Sequence, residues 1–212
     1  ANPLTQPGLS SFTAQLLQEG TATRSAPQIA DDVAQLGAFL GTGSGTDASF
    51  AQLTSLKATF PQALDVLADV VQHPQFPQEE VERQRASRIG ELAQQRENAG
   101  AVAARVEAAA LYGPQHPYGY IQLGTEAALK AASRADLQGY WQQHYVPNNA
   151  ALIVSGDIGE TELKALAEAR FGAWKPGTIT PAVVAAPRTT QAKLILVDKP
   201  GAPQSAVRLS TI

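Results

Sequence analysis

A chain of 212 residues with 17% charged residues and a formal net charge of −3 can bury a sizeable core in one large domain or two small ones. It has no cysteine, which excludes disulfide bonds, thiolate metal sites and a cysteine nucleophile. No run of Lys and Arg suggests nucleic acid as a partner, and no stretch of about 18 apolar residues suggests a membrane span.

The first predicted helix lies within residues 7–21. A glycine opens this stretch, Gly20 closes it, and its apolar residues recur at helical spacing: Leu9, Phe12, Leu16 and Leu17. A second helix follows, with Ser25 as its N-cap and Gly37 at its end.

Residues 38–42 and 48–56 are predicted to form the two strands of a hairpin around the glycine-rich sequence GTGSGTD. A phosphate-binding loop is the alternative for this sequence, but the Lys-Ser/Thr ending and a suitable following helix are missing. After the hairpin, residues 60–72 form a predicted helix, two prolines break the chain at 73–77, and a long polar helix runs over about 78–98.

The rest of the chain repeats this alternation of helices and extended segments. We expect a helix at 101–112, a turn-rich loop at 113–119, a helix at 124–132 and another from the Ser133 cap to 145. A buried strand at 150–155 and a helix at 159–172 follow. The chain then continues through a Pro-rich linker to strands at 194–197 and 206–209. The predicted fold class is α+β, with helices packed on one face of a mostly antiparallel sheet.

Six segments, taken in order, resemble the insulinase/pitrilysin family of zinc metallopeptidases, and the resemblance covers nearly the whole chain. They are GLSSFTAQLLQEGTATRSAPQIADDVAQLGA, FPQALDVLADVVQHPQFPQEEVERQRASRIGEL, YGPQHPYG, YVPNNAALIVSGDI, FGAW and LVDKPGAPQS. Each segment alone is weak evidence, but their common order makes a chance match unlikely.

The resemblance implies where a zinc site would lie. Active members carry an HxxEH motif on the first helix and a distal glutamate on the later long helix, and the matching positions here are Ser11, Ala14, Gln15 and Glu91. Serine and glutamine are poor replacements for two imidazole ligands, and alanine cannot deprotonate a water molecule. The chain therefore resembles the inactive type of domain, for which we expect no catalytic residue and no bound metal or cofactor.

Family resemblance also implies a domain organisation and partners. We expect a non-catalytic domain at 1–174 whose first strands are missing, a linker at 175–191, and the first strands of a second homologous domain at 192–212. The expected partner is a homologous active peptidase domain or subunit that holds the zinc, with peptides as a further ligand and a dimer as one possible state. No nucleic acid or membrane partner is expected, and the protein is expected to be soluble, with the bacterial periplasm favoured. The alternative function is a purely structural subunit of a peptidase-like complex that binds no peptide.

Several residues have two interpretations. His73, His116 and His144 are interpreted as turn or helix-end residues, with a zinc site built from all three as the alternative. Glu91 belongs either to a solvated, ion-paired helix face or to a remnant of the metal site. Ser11 is interpreted as a helix serine because no GxSxG sequence surrounds it. Aromatic residues Tyr140, Trp141 and Tyr145 are interpreted as the core and surface of one helix, with peptide contact as the alternative.

Overall fold

The computed structural model describes residues 2–3, 5–180, 184, 186, 192–202 and 204–212. Within these residues the chain forms helices and one hairpin in the order α1 (Leu9–Leu16), α2 (Ala26–Gln35), β1 (Phe39–Ser44), β2 (Ser49–Thr54), α3 (Phe60–Gln72), α4 (Gln78–Glu97), α5 (Ala99–Tyr112), α6 (Glu126–Ala131), α7 (Arg134–His144) and α8 (Glu160–Phe171). Short 3₁₀ turns cover Lys57–Thr59 and Pro147–Asn149.

Local capping signals explain where several helices begin and end. Ser25 accepts a hydrogen bond from the Gln28 amide while the Gln28 side chain accepts one from the Ser25 amide, which forms a capping box for α2. Ser133 and Asp136 form the same arrangement at the start of α7. Gly37 follows α2 with a φ of 58°, in the left-handed region that favours glycine. The predicted N-caps are confirmed.

The glycine-rich sequence is the turn and first strand of a β-hairpin. β1 pairs antiparallel with β2 in a register that runs from Phe39 opposite Thr54 to Ser44 opposite Ser49. The Gly45 amide donates to the Ala48 carbonyl across the turn, at 2.9 Å. The hairpin prediction is confirmed for this segment.

The core consists of two clusters of buried apolar side chains. The first is built around Phe12 of α1, Phe76 after α3 and Leu137 of α7, all fully buried. The second joins Leu64 and Val70 of α3 to α2 and the hairpin, and Leu166 and Phe171 of α8 pack against it. Since α1 and α3 both contact the hairpin, the helices and the sheet share one packed body, and the α+β class is confirmed.

The later strand predictions are wrong for the described residues. Residues 150–155 are extended but pair with no other described strand, and Ile153 is 90% exposed instead of buried. Residues 194–197 and 206–209 likewise form no strand in the described part of the chain, and Leu194 and Leu209 are fully exposed. An apolar run forms a strand only when a neighbouring strand supplies backbone hydrogen bonds, which periodicity alone does not reveal.

The proposed linker at 175–191 falls partly outside the described residues, since 181–183, 185 and 187–191 are not among them. Residues 175–180 have no regular secondary structure. The division into a first domain, a linker and the start of a second domain stays a prediction. Of the helices that the structure describes, none combines the length and apolarity that crossing a bilayer requires.

Candidate functional site

The candidate site lies on α1, where the three motif-matching positions share one side of the helix. Ala14 is fully buried, while Ser11 and Gln15 are partly buried and one helical turn apart. The single hydroxyl hydrogen of Ser11 is shared between two acceptors, the carbonyl oxygens of Gly8 and Gln122. The helix therefore presents a hydroxyl and an amide together toward the elements packed against it.

Arg88 of α4 lies against these two residues and contacts both of them. Its Nη1 donates to Gln15 Oε1 at 2.8 Å, and its Nη2 donates to Ser11 Oγ at 2.6 Å. The same Nη2 approaches the carbonyl oxygens of Leu123 at 3.2 Å and Gln122 at 3.4 Å. One guanidinium group thus connects α1, α4 and the turn that precedes α6.

A chain of amide groups leads from Arg88 toward an acidic residue. Gln15 Nε2 donates to Gln84 Oε1 at 2.6 Å, and Gln84 Nε2 donates to Glu19 Oε1. Arg83 in turn donates to the other Glu19 oxygen. Each of the two side-chain amides accepts a hydrogen bond from the Arg88 side and donates one toward Glu19. Their dipoles therefore point the same way, between a cation and an anion.

Two glycines allow the backbone to close around the site. Gly8 precedes α1 with a φ of 92°, and Gly124 precedes α6 with a φ of 87°. A Cβ atom on Gly124 would overlap the Pro7 carbonyl oxygen, and one on Gly8 would lie 2.7 Å from Gly124 Cα. Only glycine lets the turns before α1 and α6 approach this closely. The approach brings the carbonyls of Gln122 and Leu123 to Arg88.

Arg88 is a buried cation, since only 5% of the residue is exposed. Burial lowers its pKa to about 10, while the nearby charge of Glu91 opposes this shift. At neutral pH the guanidinium therefore remains charged. The guanidinium lies over the Phe12 ring, with Cζ 5.3 Å from the ring centroid. The Nε atom of Arg88 has no hydrogen-bond partner among the described residues.

Glu91 is placed on the exposed side of α4, about one turn after Arg88. Its Oε1 accepts a hydrogen bond from Gln95 at 3.2 Å. The structure therefore brings Ser11 and Gln15 together with Arg88, while the Glu91 carboxylate points to solvent and hydrogen-bonds along its own helix.

The residues at the site do not fit a zinc ion. Protein zinc ligands are imidazole, thiolate and carboxylate groups, whereas the donors here are a hydroxyl and a neutral amide. Both of these already accept hydrogen bonds from a fixed positive charge, which would repel a metal ion. In the part of the chain that the structure describes, no group of three His, Cys, Asp or Glu side chains could hold a metal.

The three histidines lie in separate places. His73 contacts Asp69, with 3.2 Å between Nδ1 and Oδ1, and His116 stacks on Tyr112 with ring centroids 5.3 Å apart. His144 lies against the Tyr140 ring at the end of α7, with ring centroids 4.3 Å apart. The interpretation as turn and helix-end residues is confirmed for the described chain.

Arg88 is the residue that sequence reasoning misses. The sequence pattern predicts that the charged residues of α4 form a solvated, ion-paired face of the helix. A signal is nevertheless present in the spacing, because Gln84 and Arg88 fall at helical intervals between the apolar residues Val81 and Leu92, and all four are buried. A polar residue on the apolar side of a helix indicates a buried hydrogen-bonded group.

A second feature is an open cavity of about 1020 Å³ next to β2. Its walls are β2 and the extended residues 150–155, and its floor includes Leu64 and Leu67 of α3. Tyr140 and Tyr145 both line it, although Tyr140 is only 8% exposed and also packs in the first core cluster. Trp141 is partly buried against the first core cluster and donates to the Val71 carbonyl at 2.8 Å.

Comparisons with known proteins identify the family. Residues 1–119 match the family model described as Insulinase (Peptidase family M16), and residues 131–211 match the one described as Peptidase M16 inactive domain. A protein of Rickettsia felis named as an uncharacterized zinc protease is 26% identical over 170 residues, which is 80% of this chain and 41% of that protein. The beta subunit of the human mitochondrial-processing peptidase is 26% identical over 165 residues, 78% of this chain and 34% of the subunit.

Solved structures agree with this assignment. A structure titled as a peptidase M16 inactive domain from Pseudomonas fluorescens matches 86% of this chain and 44% of its own with a TM-score of 0.80 and 27% identity. The periplasmic protease PqqL of Escherichia coli shares the fold with a TM-score of 0.76 at 18% identity, over 88% of this chain and 21% of its own. The chain spans less than half the length of each of these relatives. Because the insulinase model alone matches more than half of the sequence, the chain belongs to the insulinase family, peptidase family M16.

Proposed function

We propose that this chain is a non-catalytic domain of the insulinase type, which pairs with an active zinc-bearing half and helps to enclose peptides during proteolysis. The observation that carries the proposal is the contact of Arg88 with Ser11 and Gln15, at the positions that the family resemblance assigns to two zinc ligands. Ala14, at the position of the general base, has no group that could accept a proton from water.

The match to the inactive-domain model supports this proposal, as does the structural similarity to an M16 inactive domain. The active half is a homologous domain, either elsewhere in the same polypeptide or in a separate subunit. This chain matches less than half the length of each relative, which is compatible with an active half elsewhere in the same polypeptide. We further propose a periplasmic location, supported by the fold shared with a periplasmic protease.

Within this proposal, peptides bind in the open cavity between β2 and residues 150–155. Among the described residues, β2 pairs only with β1, and residues 150–155 are extended without a strand partner, so both walls offer backbone groups that no described strand uses. An extended peptide that adds to such an edge gains main-chain hydrogen bonds largely independent of its sequence. The apolar floor would then receive alternate side chains.

Zinc analysis and a cleavage assay test the non-catalytic proposal directly. We expect the purified chain to contain far less than one equivalent of zinc after incubation with zinc and dialysis, and to cleave no peptide of a fluorogenic library. Stoichiometric zinc together with turnover would overturn it. Mixing with a homologous active half should restore cleavage that neither part shows alone.

A titration separates peptide binding from the alternative, an assembly subunit without peptide contact. Fluorescence anisotropy of a labelled, unstructured peptide is followed as the chain is added. Leu152→Lys changes a residue of the cavity wall that is 45% exposed, and Val207→Lys is the control because this residue is 89% exposed and does not line the cavity. Weakening by Leu152→Lys alone supports the cavity, whereas no binding by the unmodified chain favours the assembly role.

A further inference from the structure

The family fold implies a zinc ion, and the residues of this chain do not fit one. We propose that the Arg88 guanidinium takes the place of the metal as a built-in cation, which ties α1 to α4 and keeps metal ions out of the site. This inference rests on the proposed non-catalytic function and adds the device that replaces the metal.

The connectivity of Arg88 supports the replacement. A zinc ion in this family would join two α1 side chains to the long helix, and Arg88 joins the same two α1 positions, Ser11 and Gln15, from α4. A guanidinium group is planar and carries several donors in a fixed geometry, so it can serve two acceptors on one helix at once. The carbonyls of Gln122 and Leu123 add acceptors from a third element.

The surroundings of Arg88 suit a permanent cation. Among the described residues it forms no ion pair with a carboxylate, and a buried charge without such compensation is costly. The aligned amides of Gln15 and Gln84 lead toward Glu19, and the Phe12 ring faces the group. Since these partners are all oriented for a positive charge, the site is organised around Arg88 and does not merely tolerate it.

The exclusion of metal is tested by restoring the ligands with and without Arg88. Three variants are compared: S11H/Q15H, S11H/Q15H/R88A, and the control S11H/Q15H/R96A. Arg96 lies on the same helix, is largely exposed and carries the same charge. Their affinity for Zn²⁺ alone is measured by competition with a chromogenic chelator.

We expect the variant without Arg88 to bind zinc at least about tenfold more tightly than the other two, because a nearby buried cation opposes metal binding. Equal affinity of all three variants would overturn the exclusion. Circular dichroism of each variant establishes that it is folded before the affinities are compared.

A second measurement tests the structural part in the otherwise unmodified chain. Arg88→Met keeps much of the volume but removes the donors, and Arg88→Lys keeps the charge with a different geometry. We expect Arg88→Met to lower the midpoint of thermal unfolding clearly, Arg88→Lys less, and the control Arg96→Met hardly at all. An Arg88→Met variant as stable as the parent would overturn this role. The cleavage assay and the peptide titration test the proposed function separately, because their results depend neither on the zinc affinities nor on the unfolding midpoints of these variants.

Discussion

The buried carboxylate of Asp69 fixes the segment that follows α1. It accepts hydrogen bonds from Thr21 Oγ1 at 2.7 Å, Thr23 Oγ1 at 2.9 Å and Arg24 Nη1 at 2.6 Å. Burial alone would raise the pKa of Asp69, but the hydrogen bonds from Thr21, Arg24 and Thr23 outweigh it, and the net pKa lies below the usual value. The folded state therefore binds this proton less readily than the unfolded chain does.

We expect Asp69→Asn to destabilise the protein by about 2 kcal/mol at pH 7, since it removes charged hydrogen bonds in a buried place. Because the folded pKa is depressed, the contribution of Asp69 is fully present above the unfolded pKa of about 4 and is lost as the pH falls through the folded pKa. Urea unfolding between pH 7 and pH 3 should show a flatter acid limb, that is, a weaker loss of stability with falling pH, for Asp69→Asn.

The exposed Asp157, paired with Lys57 at the surface, is the control, and Asp157→Asn should change stability by less than about 0.5 kcal/mol. Parallel acid limbs for Asp69→Asn and the parent would contradict this account.

Gly124 is required by its backbone conformation and by the space around it. Its φ is 87° and the Pro7 carbonyl occupies the place that a Cβ atom would need, so alanine would be strained and would collide with backbone. We expect Gly124→Ala to cost about 3 kcal/mol in thermal or urea unfolding. Gly139→Ala is the matched control, since Gly139 is exposed within α7 with open space where its Cβ would lie, and it should stabilise by about 0.5–1 kcal/mol. A neutral Gly124→Ala would show that the two turns approach each other less closely.

The start of α2 depends on one exposed side chain. Ser25 and Gln28 satisfy each other's backbone amides. We expect Ser25→Ala to destabilise the protein by about 1 kcal/mol, and Ser25→Asp, which can still cap, by only a few tenths of that. Chemical denaturation of the three proteins checks the ranking. If Ser25→Asp and Ser25→Ala were equally destabilising, the serine would act through something other than its cap.

How far the sequence predicts an element depends on whether its signal is local. The bounds of α3 are predicted correctly because Pro61 at the first turn and the break at 73–77 enclose a clear apolar spacing. The hairpin is predictable because its glycines and its two strands are adjacent. Residues 150–155 carry the same apolar composition as a buried strand, but a strand forms only with a partner whose position in the fold the local sequence does not state. The Arg88 site escapes prediction for the same reason, since Ser11, Gln15 and Arg88 meet only through packing of distant helices.

Stability should be distributed unevenly along the chain. The two core clusters hold α1, α3 and α7, whereas residues 150–155, 194–197 and 206–209 expose large apolar side chains and form no strand in the described part of the chain. Amides without hydrogen bonds in exposed segments exchange almost as in an unfolded chain, and those of core helices exchange only on larger opening.

Hydrogen exchange followed by mass spectrometry should therefore separate the two kinds of segment. We expect peptides that cover 150–155 to exchange within seconds and those from α3 to remain protected for hours, since Leu64 and Val70 are fully buried there. Addition of a peptide ligand or of an active half that pairs with the open edge should slow exchange at 150–155 and along β2, while Val207 and its neighbours serve as the internal reference. Protection of 150–155 in the isolated chain would contradict the exposed edge, because it would require backbone partners that the described residues do not supply.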